Sequence, residues 1–517
     1  MQIRVPSPLI CVMKKIDPRY FIFSGLLLIF SSLSFLSCRK ERFTTDSSAK
    51  LAFSNDTVLF DTVFTTIGST TQYLKVYNRN NDAIKIDKIS LRGGSSSQYR
   101  INVDGFDGTS FENIEIRGND SLFIFVEVTV DPGNVNTPFI VEDFIDFKVN
   151  GNDQTVTLNS WGQDAYFHGG LGELFVLPCN EVWNSDKPHV LYGIVAVDSA
   201  CVLTINAGTQ VYCHAKSGLY VYKSNIKING IIGNEVVFQG DRLESFYADQ
   251  PGQWGIQLDF IVESGGAPTV ASISRGGIWI YQSPDSDIDY AIMKNGTMGI
   301  QVDTTGVAYT SGQFSTTIRN TKIVNMSGIG LWTQGGSVQG VNLLVANCGE
   351  ACGYFSIGGK YKFDNCTFGN YWNFGTRTGP AFLLNNYYED VNENVQVRPL
   401  INSSFTNCIM YGNNALLNDF NEFVLDLNTP ADQQVTFNSC LIDSDINVDS
   451  DSRFTNCVNG IAPPFCDAIN FNFQLSSNSS TVLGVSNGVG ADIRSQNTGD
   501  WKGCFDFLLG SSGSPCE

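Results

Sequence analysis

Three acidic side chains alternate in the segment "PDSDIDYAIMK", which carries Asp285, Asp287 and Asp289. In an extended segment alternate residues point to the same side, so the three carboxylates would share one face. Paired carboxylates can serve as acid and base in glycoside hydrolysis. The structural alternative is that Asp289, directly before an apolar strand, hydrogen-bonds its own turn, as aspartate commonly does. The sequence leaves both interpretations open.

Calcium-assisted cleavage of a polysaccharide by a lyase is a second chemistry for the same carboxylates. Hard cations need several oxygen ligands, and a lyase also needs a basic side chain, which Arg275, Lys294 or Arg319 could supply. No catalytic motif of pectate lyases or polygalacturonases can be matched residue by residue. The enzyme hypothesis therefore depends on residue types and spacing alone.

Two aromatic-rich segments, "NYWNFGTRTG" and "NNYYED", suggest a binding role instead. An aromatic ring can cover the apolar face of a sugar while nearby amides and acids bond the hydroxyl groups. The alternative is that these loops fold back over the protein and bury their rings. The candidate ligand-binding residues are Tyr371, Trp372, Phe374, Tyr387 and Tyr388.

Few residues of this chain are suited to bind a metal. It has 3 histidines, and its most closely spaced cysteines, Cys348 and Cys352, do not form a Cys-x-x-Cys motif, so no zinc site is predicted. The segment "DSDINVDSDSRF" begins like a calcium loop. However, Val448 stands where the turn needs glycine, and Phe454 stands where a bidentate glutamate is needed. A turn-bound Ca²⁺ and a solvated acidic loop both stay open.

The composition indicates an all-β protein. The 517 residues include 50 Gly and 36 Phe, and only 16% are charged. A chain of this length can form two or more domains, and this composition favours short strands and turns. The net charge of −19 argues against nucleic acid as a partner, because phosphate binding needs a cationic surface.

The N-terminus carries an export signature. The apolar run Phe21–Cys38 follows several basic residues, which is the order of a signal peptide. Its end, "FLSC", resembles a bacterial lipobox, and that resemblance implies cleavage before Cys38 and lipidation of Cys38. An ordinary cleaved signal and an N-terminal anchor helix are the alternatives. We predict a signal peptide at 1–37, a lipidated tether at 38–50 and an anchor in the cell outer membrane.

Residues 51–165 alternate between apolar and polar. In "SLFIFVEVTVDP" the side chains of Leu122, Ile124 and Val126 fall on one face, and short strands of this kind between Gly, Asn and Asp indicate a β-sandwich. The stretch "GSTTQYLKVYN", with the later strand "VEVTVDP", resembles immunoglobulin-like (Ig-like) domains of the spindle-protein and hydin type. The resemblance implies a spacer or interaction module.

A motif of glycine, an apolar residue, any residue and another apolar residue recurs later in the chain. Most of its intervals are 22 to 29 residues long. This period is typical of a parallel β-helix, in which each coil buries one side of its strands by stacking on the next coil. The motif begins at Gly218, Gly255, Gly277, Gly299, Gly328, Gly353 and Gly379.

The segment "LTINAGTQVYCHAKSGLYVYKSNIKINGIIGNEVVFQGDR" resembles the entry coils of right-handed parallel β-helix proteins from bacterial surfaces. The resemblance implies an all-β chain in which an N-terminal Ig-like β-sandwich precedes a right-handed parallel β-helix. It implies little about function, because this fold carries lyases, hydrolases, epimerases, adhesins and stalks. The predicted boundaries are 51–165 for the sandwich, 166–200 for a connector and cap, 201–498 for the β-helix and 499–517 for a tail.

Four Phe-x-x-Cys units, two of them "FTNC", place Cys366, Cys408, Cys440 and Cys457 at equivalent positions. We expect the asparagine of such a unit to stack in a ladder at a turn, and the cysteine to fill the core as a small apolar side chain. The spacings of 42, 32 and 17 residues are too irregular for one column without insertions. Cys348 is a looser fifth candidate.

The cysteines also allow disulfides, because an exported chain meets an oxidising compartment. The candidate pairs are Cys440 with Cys457 and Cys504 with Cys516. Sequence alone does not determine connectivity.

Three functions fit these features. The first is a non-catalytic module that binds a glycan or a surface protein along the coil face. The second is a polysaccharide lyase or glycoside hydrolase that uses the same face, and the third is a structural surface stalk. The sequence does not identify the ligand or the oligomeric state.

Overall fold

The structure is a computed structural model that describes residues 42–65, 68–131, 139–262, 269–303, 313–413, 421–429 and 433–475. These residues form β-strands and the short 3₁₀ turns Gly94–Ser96, Ser245–Tyr247 and Ala468–Asn470. The all-β prediction is confirmed. The chain divides into two compact units, the first from the described parts of 1–60, 68–129 and 141–160, and the second from the rest.

The first unit contains two five-stranded sheets. One consists of Ala52–Phe53, Gln72–Tyr77, Ser121–Val128, Tyr99–Val103 and Phe106–Gly108. The other consists of Thr57–Phe64, Asn152–Gln163, Phe139–Val149, Ile84–Leu91 and Ser110–Ile116. Side chains of the two sheets meet in a common core, where the Phe60 and Tyr99 rings lie 5.8 Å apart. The Ig-like assignment of this unit stays a prediction.

The second unit is built from three parallel ladders that the chain visits in turn, as in a parallel β-helix. Ladder A contains Val182–Trp183, Val202–Asn206, Asn225–Asn229, Ser286–Asp289, Thr316–Arg319, Ser337–Val341, Lys360–Asp364, Ser403–Thr406, Val435–Asn438 and Phe454–Thr455. Ladder B contains Gln210–Cys213, Val236–Gly240, Ala291–Lys294, Lys322–Val324, Leu344–Ala346, Thr367–Asn370, Ile409–Gly412, Leu441–Ile442 and Val458–Asn459. Ladder C contains Gly218–Tyr222, Ile278–Tyr281, Ile300–Asp303, Leu331–Gln334, Gly353–Ser356, Phe382–Asn385 and Phe423–Asp426.

The long strand His189–Val197 begins both ladder B and ladder C, and Tyr166–Val176 pairs in parallel with it. Residues 166–200, predicted as a connector and cap, therefore already contain strands of the parallel ladders.

Two antiparallel hairpins interrupt the described coils, Gln257–Val262 with Thr269–Ser274 and Tyr387–Glu389 with Val395–Val397. A third, Phe465–Asp467 with Asn472–Leu475, follows the last described ladder strand. The first hairpin explains one misassigned repeat. Gly255 does not begin a coil strand, because it lies just before an insertion between ladder B and ladder C.

The inward side chains of ladder A change from aliphatic to aromatic along the stack. Ile288 and Ile318 are in register, and the next position is Gly340, which pairs with Phe363. A Cβ atom on Gly340 would lie 2.4 Å from the Phe363 ring. Glycine is therefore required beside Phe363, the ring with which the phenylalanine stack begins.

From this point a stack of phenylalanine rings fills the core. Phe363, Phe405, Phe437 and Phe454 follow one another with centroid separations of 5.4, 5.1 and 5.0 Å and interplanar angles of 7°, 11° and 12°. These are the phenylalanines of the four Phe-x-x-Cys units, so the repeated sequence corresponds to a repeated core position.

The asparagines of three of the four units form the expected turn, and in "TFNSC" Ser439, with φ of 55°, takes that place. A single residue in the left-handed region links ladder A to ladder B, with φ from 48° to 59° at Asn320, Asn342, Asn365, Asn407 and Asn456. Asparagine tolerates this conformation better than most residues. Side-chain amides also bond between coils: Asn342 donates to Asn320 at 3.1 Å, and Asn407 donates to Asn365 at 2.5 Å. The ladder prediction is confirmed for Asn365 and Asn407, the pair that belongs to Phe-x-x-Cys units.

The cysteines of the units lie in one column, because ladder B pairs the residues that follow Cys366, Cys408, Cys440 and Cys457 in register. The hairpin at Tyr387–Val397 accounts for part of the irregular spacing. Cys348 does not belong to this column. Leu343 occupies the equivalent position, since Leu344 pairs with Thr367.

The disulfide pattern differs from the expected one. Cys440 and Cys457 are free thiols, so their predicted disulfide is wrong. Each thiol instead points to a backbone carbonyl of the preceding coil, such as Cys440 Sγ to Phe405 O at 3.4 Å. The structure instead contains the bond Cys179–Cys201, which was not predicted, and Cys466 also takes part in a disulfide. The predicted pair Cys504–Cys516 lies outside the described residues.

Candidate functional site

The predicted acidic residues lie on the outer side of ladder A. Asp287 and Asp289 both face outward on Ser286–Asp289 and share the guanidinium of Arg319, at 2.9 and 3.4 Å. Asp285 precedes the strand and pairs with Lys227 at 2.8 Å. Each carboxylate therefore has a cationic partner, which favours the structural interpretation. Their catalytic role stays an untested prediction.

Of the three predicted basic residues, Arg319 pairs with these carboxylates, and the other two lie elsewhere. Arg275 lies beside ladder C, with its guanidinium 5.4 Å from the centre of the Trp279 ring. Lys294 is on ladder B, where it lines a cavity. The structure thus distributes the candidates Asp287, Arg275 and Lys294 over three different faces.

The predicted aromatic residues fall into two groups. Tyr371 packs inward against Phe465 and Phe473, at centroid distances of 6.0 and 5.9 Å, and burial raises its pKa. Trp372 contacts Phe374, at 5.3 Å between ring centroids. The alternative of loops that bury their rings therefore holds for Tyr371.

Tyr387 and Tyr388 lie together on the second hairpin. The Tyr387 hydroxyl donates to Asp426 at 2.6 Å, and Arg398 donates to the Tyr388 hydroxyl at 3.1 Å. Tyr387 thus reaches the outer side of the last ladder C strand.

Ladder C carries a row of outward aromatic side chains that the sequence analysis did not single out. We call it the aromatic face, and its members are half-buried. Register places the rings of successive coils beside each other: Tyr220 and Trp279 are 4.5 Å apart, Tyr222 and Tyr281 are 5.8 Å apart, and Trp332 and Tyr354 are 6.1 Å apart with an 8° angle. The aromatic face consists of Tyr220, Tyr222, Trp279, Tyr281, Trp332 and Tyr354.

The recurring glycine-led motif of the coils already contains the residues of the aromatic face. In "GLYVY" and "GIWIY" the apolar residues that identified the coils alternate with Tyr or Trp. Strand geometry turns alternate residues to opposite sides, so the same motifs encode both the core and the outer face.

A polar group interrupts the aromatic face between Trp279 and Trp332. Gln301 occupies the intervening position, and Asp303 follows Tyr281 in the neighbouring column. Trp279 Nε1 and Gln301 Nε2 both donate to Asp303 Oδ2, at 2.7 and 2.9 Å. Asp303 therefore fixes the orientation of an aromatic side chain and of an amide on this face.

Asp303 is only 6% exposed, and this burial raises its pKa to about 6. Asp303 Oδ1 and Arg275 Nε are buried and have no hydrogen-bond partner among the described residues. Unpaired polar atoms in a buried setting are costly. Their presence beside the aromatic rings singles out this part of the molecule as a candidate site.

The positions that align with Asp303 on the following ladder C strands are also polar. Gln334, Ser356, Asn385 and Asp426 follow in register. Rings and hydrogen-bonding groups thus run side by side along ladder C, an arrangement suited to an extended amphipathic ligand.

Metal binding finds no support within the described ranges. No group of three or more His, Cys, Asp or Glu side chains gathers there to hold an ion. In the segment considered for Ca²⁺, Asp451 accepts from Arg453 at 2.9 Å, and Asp445 accepts from Asn421 at 3.1 Å.

The membrane anchor cannot be located on this structure, because Cys38 lies outside the described residues. In the part of the chain that is described, no helix has the length and apolar character to cross a bilayer.

Comparison with known proteins finds no matching family and no matching curated protein. Among solved structures, the chain is similar to the Agl-KA catalytic domain at 11% identity, over 76% of this chain and 80% of that one, with a TM-score of 0.17. It is similar to an ASH / PapD-like domain of human CEP192 at 11% identity, over 24% of this chain and 91% of that one, with a TM-score of 0.16.

A third similarity is to a family 123 glycoside hydrolase from Clostridium perfringens, at 8% identity and a TM-score of 0.16. It covers 23% of this chain and 30% of the hydrolase, so the chain spans less than a third of that enzyme. With TM-scores this low, none of these similarities carries an argument about fold or function.

Proposed function

We propose that this protein is a surface-anchored lipoprotein that binds a glycan strand along the aromatic face without cleaving it. In this proposal an Ig-like sandwich is the spacer, and a right-handed parallel β-helix presents the binding surface. The observation that supports it best is the row of half-buried rings beside a column of polar side chains. Aromatic rings can cover apolar sugar faces while the polar column bonds the hydroxyls.

The spacing of the rings favours a chain-like ligand over a single sugar. Successive coils are separated by about 4.8 Å, so Trp279 and Trp332, two coils apart, are separated by about 10 Å. One sugar unit cannot contact both rings, whereas an extended oligosaccharide can.

A glycan array and calorimetric titration of the full chain test the proposal. Trp332→Ala should weaken glycan binding about tenfold or more, because a central aromatic contact commonly dominates an interface. Trp332→Phe, which keeps a ring, should retain most of the affinity. Trp161→Ala is the matched control, since Trp161 is 38% exposed and lies on the strand Asn152–Gln163, which is not part of ladder C. Absence of binding to every glycan would leave the stalk hypothesis.

A second candidate function, polysaccharide cleavage, is favoured by one observation. The pKa of Asp303, raised to about 6 by burial, would keep part of this carboxyl protonated near neutral pH, as a general acid requires. Incubation with the glycans that bind should then release reducing ends or unsaturated products, and Asp303→Asn should abolish that release. Binding without any product over a long incubation contradicts this second function.

A further inference from the structure

Three aromatic side chains lie on the outer face of one sheet of the first unit. Tyr73 is 62% exposed, Phe123 is 43% exposed and Phe125 is 46% exposed. They belong to the neighbouring strands Gln72–Tyr77 and Ser121–Val128, on which Tyr73 pairs with Phe125. The solvated face of an antiparallel sheet is normally polar. These three rings, which we call the ring patch, depart from that pattern.

The rings of the patch contact one another but stay uncovered. The ring centroids of Tyr73 and Phe123 are 5.8 Å apart, and those of Phe123 and Phe125 are 6.4 Å apart. Cross-strand aromatic contacts of this kind stabilise a sheet, yet each side chain remains exposed. Contiguous exposed apolar groups commonly mark a surface that contacts a protein or a membrane.

Side chains of both charges border the rings. The Lys75 ammonium lies 5.0 Å from the centre of the Phe123 ring. Asp107 and Glu127 are exposed on the same face, and Asp107 accepts from Asn102 at 2.7 Å. A border of both charges suits zwitterionic lipid headgroups, which carry phosphate and ammonium groups, better than a purely anionic surface.

The segment 42–50, which the sequence analysis assigned to a tether, packs against the first unit. Ala83 N donates to Arg42 O, and Thr44 N donates to Ala83 O, each at 2.9 Å. Ala49 is only 4% exposed. From Arg42 onward the chain is therefore fixed to this unit and does not act as a free tether.

This packing limits the distance between the predicted lipid anchor and the first unit. Three residues separate Cys38 from Arg42, so their Cα atoms lie at most about 14 Å apart. Arg42 is bonded to Ala83, which directly precedes the strand Ile84–Leu91. A short connection joins that strand to the C-terminal end of Gln72–Tyr77. A lipid on Cys38 would therefore hold a bilayer close to that end of the strand.

We propose that the ring patch docks on a zwitterionic lipid bilayer, with Tyr73, Phe123 and Phe125 at the depth of the headgroups. At a rise of about 3.4 Å per residue, these rings lie about 7 to 14 Å along the strands from the anchored end. Aromatic side chains concentrate at membrane–water interfaces, and shallow insertion of apolar groups adds to the affinity of a lipid anchor. The inference rests on the lipid anchor of the proposed function, and it assigns the face of the first unit that meets the membrane.

Fluorescence quenching by brominated lipids tests the docking in the full lipidated chain. The Phe125→Trp variant is placed on phosphatidylcholine vesicles with and without bromine on the acyl chains, and the emission of the wild-type chain is subtracted. Bromine should reduce the emission of the added indole about twofold or more, because a ring at the interface contacts the acyl chains. Leu59→Trp is the matched control and should show no quenching. Leu59 is 56% exposed and alternates with the buried Phe60 on a strand of the other sheet.

Flotation with the vesicles separates the possible failures. A chain that floats but shows no quenching of Phe125→Trp would refute this inference alone, and a chain that does not float would refute the anchor as well. Equal quenching of Leu59→Trp would refute the choice of face. Emission that changes with protein concentration but not with bromine would indicate a second copy of the chain on the patch instead of lipid.

Two further measurements complete the test. Phosphatidylglycerol vesicles should quench Phe125→Trp no more than phosphatidylcholine vesicles do, and stronger quenching would contradict the zwitterionic assignment. If Phe125→Trp does not fold, Tyr73→Trp replaces it, because Tyr73 is the cross-strand partner of Phe125 and should be quenched to a similar extent. Absence of quenching at that position would equally overturn the proposal.

Discussion

Removing one ring from the middle of the phenylalanine stack should open the neighbouring coils. Phe405 is fully buried and stacks between Phe363 and Phe437. Replacing a buried phenylalanine by alanine costs about 3–5 kcal/mol, because apolar burial is lost and a cavity remains. In a stacked repeat this cost falls on the local coils, since each coil contacts only its neighbours.

The free thiols of the core provide the assay. Cys408 is fully buried, and burial raises its pKa, so it should react with a thiol reagent only when its coil opens. A loss of 3–5 kcal/mol multiplies the open population by about 100-fold or more. Phe405→Ala should therefore accelerate labelling of Cys408 by about that factor, as measured by mass spectrometry of the labelled peptides.

Two comparisons decide whether the effect is local. Cys213, in an early ladder B strand, should label at the wild-type rate in Phe405→Ala. Phe123→Ala, which removes a ring that is 43% exposed in the first unit, should change no labelling rate. Equal acceleration at Cys213 and Cys408 would refute the local-stack argument, and so would unchanged labelling of Cys408.

Three further predictions concern stability. Gly340→Ala should lower the free energy of unfolding by about 1–3 kcal/mol through overpacking, measured by urea denaturation, and an unchanged value would contradict the tight contact. Burial lowers the pKa of His168 to about 3 and that of His189 to about 4, below an unfolded value of about 6.5. The native rings thus resist protonation, and the free energy of unfolding should fall as pH drops below about 6.5, by up to about 1.4 kcal/mol per pH unit for each ring. His168→Gln should reduce this dependence between pH 7 and 5, and an unchanged slope would exclude the pair as its source. Cys179→Ser should cost about 3 kcal/mol, because the Cys179–Cys201 bond spans a sequence separation of 22 residues, and a wild-type midpoint under oxidising conditions would contradict this.

The coil repeat was predictable because its signals are local. Glycine at or shortly before most ladder C strands, asparagine at the left-handed turn and cysteine in the core are all visible within a few residues of sequence. The prediction of a coil repeat at Gly255 was wrong for the same reason. A glycine-led apolar segment there precedes an inserted hairpin. A local motif cannot distinguish a coil strand from an insertion, because the difference lies in which distant strand it pairs with.

Contacts between coils were harder to predict. The placement of all four cysteines in one column depends on how many residues each insertion removes from the stack. The cavity beside Lys294 depends in addition on Phe471, which lies in a hairpin far along the chain. Which side chains meet depends on how the strands of successive coils pair. The sequence spacing between motifs does not determine that pairing where an insertion lies between them.

The outer faces of ladders A and C differ in a way that bears on function. On ladder A, Asp287 and Asp289 satisfy their charges with Arg319, so a ligand would have to break existing ion pairs. On ladder C, rings such as Trp332 and Tyr281 stay half-exposed. Each covered Å² of apolar surface contributes about 25 cal/mol to association. A stalk needs only the inward columns, and those are complete without these rings. The proposed binding of an extended ligand would give the outward aromatic side chains of ladder C a role that a stalk does not need.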